Sequence, residues 1–234
     1  MKTINIGNMP EIPFNLTESL NQLRINLRFC GQDKKVIMVS SSMPNEGKSF
    51  IALQLWKQLA EAGQKTLLID CDLRGSVMRQ TYGLVSADKM MGLAYYLSKQ
   101  AEKDDVIYGT DIRNAYMIPV ASTVANPTIL LEGDRFEQLI EECKNEFDYI
   151  IVDTPPLGII ADGLSIATVC DGTLLVVRSN ETGKKVVDNS VQLLRRTGTP
   201  LLGIVLNRVD MKKKSGGYYG SYGKYGYGEK YYKK

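Results

Sequence analysis

Residues 36–49 read Val36-Ile37-Met38-Val39-Ser40-Ser41-Ser42-Met43-Pro44-Asn45-Glu46-Gly47-Lys48-Ser49. Val36 to Val39 is a short apolar, mostly β-branched run of the kind a buried parallel strand needs. Small and turn-forming residues follow, then Gly47-Lys48-Ser49, then a helical pattern. Strand, loop, helix is the setting of a phosphate-binding loop, whose general pattern is G-x-x-x-x-G-K-[ST]. Ser42 stands where the first Gly of that pattern belongs. The chemistry survives the change. Gly47 lets the backbone approach phosphates, Lys48 reaches the β- and γ-phosphates, the Ser49 hydroxyl can ligate Mg²⁺, and the amides opening the helix face the anion. Asn45, Glu46, Gly47, Lys48, Ser49 and Phe50 are therefore candidate nucleotide contacts. The competing reading is a polar loop with a chance Gly-Lys-Ser.

Three acids close two further apolar runs. Thr66 to Ile69 is the next strand and leads into Asp70-Cys71-Asp72-Leu73-Arg74. Tyr149 to Val152 is another and ends at Asp153-Thr154-Pro155-Pro156. A magnesium nucleotide site needs oxygen ligands near Ser49, directly or through water. Asp153, closing an apolar strand, fits the Walker B logic. Asp70 and Asp72 are two apart, so on an extended backbone they point the same way. One can hold the metal while the other accepts a proton. Asn207-Arg208, after a strand at Leu201 to Leu206, can read an adenine edge, since Asn offers a donor and an acceptor in one plane.

The chain between these landmarks alternates strands and helices. Residues 1–14 hold Pro10 and Pro13 without periodicity and read as an extended arm. Asn15, with Glu18 as capping-box partner, starts a helix over 15–29 whose face is Leu16, Leu20, Leu23 and Leu27. Phe50 to Ala62 is a helix ended by Gly63. Leu93 to Leu97 is helical, 98–115 loop-like, and Tyr116 to Val120 a strand. Asp134 caps a helix to Phe147, Asp162 caps one to Val169, and a helix over Gly183 to Arg196 lies between strands at Thr173 to Val177 and Leu201 to Leu206. This order implies βα units, a mostly parallel central sheet flanked by helices, and ligands at the carboxyl ends of its strands: an α/β fold of P-loop NTPase type, with its domain at 15–210.

Composition narrows the function. The 234 residues suffice for one domain with a real core. There is no histidine, which removes His-based triads and zinc–histidine sites. Cys30, Cys71, Cys143 and Cys170 form no Cys-x-x-Cys pair, and buried reduced thiols are expected. No apolar run reaches the ~18 residues of a membrane span, and Met1 to Asn8 has no signal-peptide core, so a cytoplasmic protein is expected. The formal charge is +3, but from Lys212 onward seven lysines face one acid, Glu229, so that segment carries +6 and the remainder −3. Residues 211–234 contain no aliphatic residue after Met211 and are expected to be a disordered tail. They hold Tyr218, Tyr219, Tyr222, Tyr225, Tyr227, Tyr231 and Tyr232, seven of the thirteen tyrosines, spaced by glycines. Interleaved Lys and Tyr can bind nucleic acid, a reading disfavoured because the body lacks a basic face.

These motifs in this order resemble the bacterial tyrosine kinases (BY-kinases). Residues 41–49 look like their Walker A loop, 67–74 like their second Walker A′ motif, 150–156 like their Walker B, and the tyrosine cluster completes the set. The likeness is greatest to stand-alone kinases that regulate capsule or exopolysaccharide synthesis. It implies ATP and Mg²⁺ as cofactors and autophosphorylation of the tail tyrosines. Lys48, Asp70, Asp72 and Asp153 would be catalytic, Asp70 accepting the phenol proton while Ser49, Asp72 and Asp153 hold the metal. It also implies a transmembrane modulator that recruits the protein to the inner face of the membrane, a cognate tyrosine phosphatase, and a homo-oligomer, ring-shaped in the family. Two departures stand out. Asn45 replaces a usual Gly, and Asn tolerates a left-handed backbone better than most residues. The family's E-x-x-R-x-x-R assembly motif survives here as Glu18 and Arg24, with Asn21 in place of the first Arg. The alternative is a partitioning-type P-loop ATPase switch that only hydrolyses ATP. Such ATPases carry a signature lysine where this chain has Met43.

Overall fold

The computed structural model describes residues 2–31 and 33–210. In chain order the elements are β1 (Thr3–Ile6), α1 (Phe14–Phe29), β2 (Val36–Ser41), α2 (Lys48–Glu61), β3 (Thr66–Asp70), α3 (Met78–Thr81), β4 (Leu84–Val85), α4 (Leu93–Leu97), α5 (Lys103–Val106), β5 (Tyr108–Thr110), β6 (Ala115–Ile118), α6 (Thr128–Leu131), α7 (Asp134–Lys144), β7 (Tyr149–Asp153), α8 (Asp162–Ala167), β8 (Gly172–Arg178), α9 (Lys184–Thr197) and β9 (Leu201–Asn207). Among the described residues nine strands form one sheet in the order β4-β1-β5-β6-β3-β7-β2-β8-β9. The pairs β1–β4 and β5–β6 are antiparallel and the rest parallel.

The apolar runs are continuous because both faces of the sheet are covered. Along β2, Val36 and Met38 enter one core while Ile37 and Val39 enter the other; β3 and β7 divide their side chains in the same way. Helices α4 to α9 cover the first face, α1 and α2 the second. Trp56 of α2 is fully buried, and its indole N–H donates to the carbonyls of Thr66 (3.2 Å) and Tyr116 (2.9 Å). That contact pins α2 across β3 and β6. Leu20 and Leu27 are buried, and Leu16 and Leu23 pack beside them, as the helical spacing requires.

Several local expectations change. The arm at 1–14 is not free of the sheet: Thr3–Ile6 pairs with β5 and β4. Its alternation of exposed Thr3 and Asn5 with buried Ile4 and Ile6 is too short to register as a period. Residues 98–115 are not a loop throughout, since they contain α5 and β5. None of the three acidic or amide caps forms. α1 starts after Pro13, whose carbonyl accepts from Leu16 and Thr17, and Glu18 accepts from Asn21 instead. α7 is preceded by Gly133 without a side-chain cap. Asp162 is drawn into the interior by Arg74. Cys30 is exposed, while Cys71, Cys143 and Cys170 are buried. The tail at 211–234 and its seven tyrosines lie outside the described residues. Among the described residues no helix is long and apolar enough to cross a membrane.

Candidate active site

The loop between β2 and α2 sits where the sheet's connections diverge, with β7 on one side of β2 and β8 on the other. Two left-handed residues shape it. Gly47 has φ +93°, and a Cβ there would lie 2.2 Å from Asn207 Nδ2, so both the torsion and the space require glycine. Asn45 has φ +62°, which accounts for asparagine at this turn. α2 begins at Lys48 with no side-chain cap. Its first amides therefore open onto a cleft of about 430 Å³ lined by Asn45, Gly47, Lys48, Ser49, Phe50 and Asp72, among others. Fourteen residues of aligned peptide dipoles add positive potential there.

The acids are set by strand register. β3 and β7 are parallel neighbours that pair Asp70 with Asp153, and the Cys71 amide donates to the Asp153 carbonyl at 2.8 Å. Lys48 reaches across from α2. Its Nζ lies 3.4 Å from Asp72 Oδ2, 3.9 Å from Asp153 Oδ1 and 3.2 Å from Ser49 Oγ. Burial alone would lower the Lys48 pKa, but the charges of Asp153, Asp72 and Asp70 outweigh it and raise it. Lys48 is a fixed cation.

Asp70 and Asp72 do not face the same way, because β3 ends at Asp70 and Asp72 lies in the following turn. Asp72 lines the cleft. Asp70 is 1% exposed; its carboxylate accepts from the Ser76 hydroxyl and from the Asp72 amide. Burial, then the neighbouring Asp153 charge, pushes the Asp70 pKa up to about 7. Burial also raises that of Asp153, against the Lys48 charge and the Ser49 hydroxyl. Asp153 Oδ1 is buried with no hydrogen-bond donor. That orphaned oxygen, with the Ser49 hydroxyl and the Asp72 carboxylate, suits a Mg²⁺ ion. Among the described residues no group of three or more His, Cys, Asp or Glu could hold a metal. Magnesium commonly completes its shell with phosphate and water.

The other flank of the loop is held by contacts that the sequence spacing does not show. Glu46 is 2% exposed, and its carboxylate accepts from the amides of Met43 (2.6 Å) and Arg178 (3.1 Å) and from the Thr182 hydroxyl. Its side chain braces the loop. Asn207 Nδ2 donates to the Glu46 carbonyl at 2.9 Å, and its Oδ1 accepts from the Arg208 amide. Asn207 thus ties the loop to the end of β9, and of the pair Arg208 lines the cleft. Nothing in the spacing ties residue 46 to 178 or 207; the contacts exist only once β8 and β9 lie beside β2.

Arg74, quoted only as part of a motif, forms a forked bridge to Asp162 (2.7 and 3.0 Å), and Thr128 donates to the same carboxylate at 2.6 Å. Burial would raise the Asp162 pKa, but Arg74 and Thr128 overcome it and hold it below the ordinary range. On α1, Glu18 is exposed, whereas Arg24 is half-buried with an unpartnered Nε.

Comparison with known proteins bears on this site. The family model described as AAA domain matches residues 34–195. The tyrosine-protein kinase CpsD of Streptococcus agalactiae is 40% identical over 207 residues, 88% of this chain and 90% of that protein. The kinase domain of Escherichia coli tyrosine kinase ETK superposes with a TM-score of 0.78 at 29% identity, covering 91% of this chain and 86% of that one. The septum site-determining protein MinD of Pyrococcus horikoshii, complexed with Mg-ADP, is similar at a TM-score of 0.64 and 25% identity, covering 74% and 70%.

Proposed function

The chain belongs to the bacterial tyrosine-protein kinase family, and from that premise we propose that it transfers the γ-phosphoryl group of ATP to tyrosines of its own residues 211–234. The observation that carries the reading is the convergence of Lys48, Asp72 and Asp153 within 4 Å at the end of a phosphate loop, with Asp70 behind them. Lys48 and the first amides of α2 bind and orient the phosphates. Ser49, Asp72 and Asp153 would hold Mg²⁺, which supplies charge neutralisation for the transferring group. Phosphoryl transfer has a loose transition state, so positioning and charge matter more than a strong base.

Asp70 takes the phenol proton. A tyrosine hydroxyl, with a pKa near ~10, is protonated at neutral pH, and a carboxylate raised to about 7 is a better acceptor than an ordinary one. Its Oδ2 accepts from the Ser76 hydroxyl, which fixes the carboxylate in place.

Incubating the full chain with Mg-ATP and mapping phosphotyrosine by mass spectrometry tests the reading. Phosphate is expected on Tyr218, Tyr219, Tyr222, Tyr225, Tyr227, Tyr231 and Tyr232. ATP turnover with no phosphotyrosine would return the chain to the ATPase-switch reading that its likeness to MinD keeps in view.

The wider setting follows from the family resemblance: a role in capsule or exopolysaccharide synthesis, a transmembrane modulator that brings the protein to the membrane, a homo-oligomer formed partly through α1, and a phosphatase that resets the tail. Each phosphate adds about −1.5 to −2 of charge, so full modification turns a +6 tail strongly negative and loosens any assembly held by it against the acidic body.

A further inference from the structure

The cleft beside Lys48 has a charged floor and an apolar lip. Val77 and Ile159 both line it, and each is 58% exposed. Pro156 and Ile160 continue the lip, and Met43, 40% exposed, stands beside Gly158. Branched side chains held in water at the mouth of a phosphate site do nothing for phosphates; a grouped apolar surface at a site marks something that binds there.

The lip has a defined position. Val77 lies in the turn that follows Asp72, and Ile159 in the turn that follows Asp153. Those turns leave the carboxyl ends of β3 and β7, which are neighbours. Arg208 lines the cleft from the end of β9, beyond β2 and β8. The lip is therefore at the acidic end of the cleft, where the phosphoryl group would be handed over.

We propose that Val77 and Ile159 form an acceptor subsite that grips the phenol ring of a tyrosine from residues 211–234 and holds its hydroxyl toward the acids. The proposal rests on the kinase reading above and adds where the acceptor binds. A flat ring with a polar tip matches an apolar lip in front of carboxylates. Residues 212–234 contain no aliphatic or other large apolar side chain besides tyrosine, so phenol rings are the apolar groups that segment offers. The described chain stops at Asp210, two residues past Arg208. From β9 to β3 is four strand spacings, ~19 Å, and the tail, if extended, spans roughly 75 Å.

The test separates docking from catalysis. In the full chain, the seven tail tyrosines are changed to Ala to remove the internal competitor. Labelled peptides of residues 215–232 with all tyrosines intact, all Phe or all Ala are then titrated by fluorescence anisotropy in the presence of a non-hydrolysable ATP analogue and Mg²⁺. The Phe peptide is expected to bind at least ten-fold tighter than the Ala peptide, and Val77→Ser with Ile159→Ser to erase that difference. Equal binding of Phe and Ala peptides, or undiminished Phe-peptide binding by the variant, overturns the proposal. If the double variant does not melt cooperatively, Val77→Ser alone carries the test. With ATP in place of the analogue, failure to phosphorylate the tyrosine peptide while the Phe peptide still docks contradicts the kinase reading and leaves the docking site standing.

Discussion

The two flanks of the phosphate loop are built on opposite principles. On the β8–β9 side, both oxygens of the buried Glu46 carboxylate accept hydrogen bonds, its carbonyl accepts from Asn207, and the Asn207 oxygen accepts from Arg208. On the β3–β7 side, Asp153 Oδ1 has no donor, Asp70 is pushed up to about 7, and Lys48 stands among three carboxylates. A satisfied network fixes a geometry; an incomplete one waits for a ligand. The loop is held rigid from one side and does its chemistry on the other.

Changes on the incomplete flank should strike activity hardest. Lys48→Met removes the cation that meets the transferring phosphate, and tail phosphorylation by quantitative immunoblot is expected to fall about a thousand-fold or more. Asp70→Asn is expected to cost about a hundred-fold or more in rate while nucleotide binding stays measurable by calorimetry. Full phosphorylation in that variant would remove Asp70 from the mechanism.

The same residue sets two pH signs. Asp70 accepts a proton only when ionised, so the wild-type rate rises with pH and levels off above about 7. Its folded pKa lies above the unfolded ~4, so the folded state binds the extra proton between those values. Stability is fully present below that window and is lost as pH rises through it. Asp70→Asn is then expected to be more stable than the wild type at pH 8 by denaturant titration, and this advantage should shrink as the pH is lowered. A loss of stability there would mean the carboxylate is not held under strain.

Changes on the satisfied flank should act through stability. Glu46→Gln turns one acceptor into a donor facing other donors, at a cost of about 1–3 kcal/mol. ATP affinity is expected to drop several-fold, with the rate at saturating ATP nearly unchanged. A large fall in that rate would make Glu46 part of the chemistry. Asn45→Ala, at φ +62°, should destabilise by only about 1 kcal/mol, and Asn45→Gly should be close to neutral.

The contrast between flanks also divides what could be read from the sequence. The incomplete flank was legible because Asp70 and Asp153 each close an apolar strand, and parallel neighbours bring strand ends together; Asp70 beside Asp153 follows from that rule. The differing aim of Asp70 and Asp72 was not legible, since it depends on β3 ending between them. The satisfied flank was nearly invisible. Glu46 and Asn207 are 161 positions apart, and their roles as brace and strut arise only when β8 and β9 are laid beside β2. Short elements such as β1, β5 and α5 escaped because four residues or fewer carry no period, whereas β2, β3, β7 and α2 announced themselves through length and apolar content.

The account's central claim is that the γ-phosphate ends on the chain's own tyrosines. Following ATP labelled in the γ-phosphate, with the wild-type chain and Mg²⁺, gives the most direct answer: the label partitions between protein and free phosphate. Label on the protein that maps to tyrosines of residues 211–234, and that disappears in Lys48→Met, is the predicted result. Label released wholly as inorganic phosphate would contradict it.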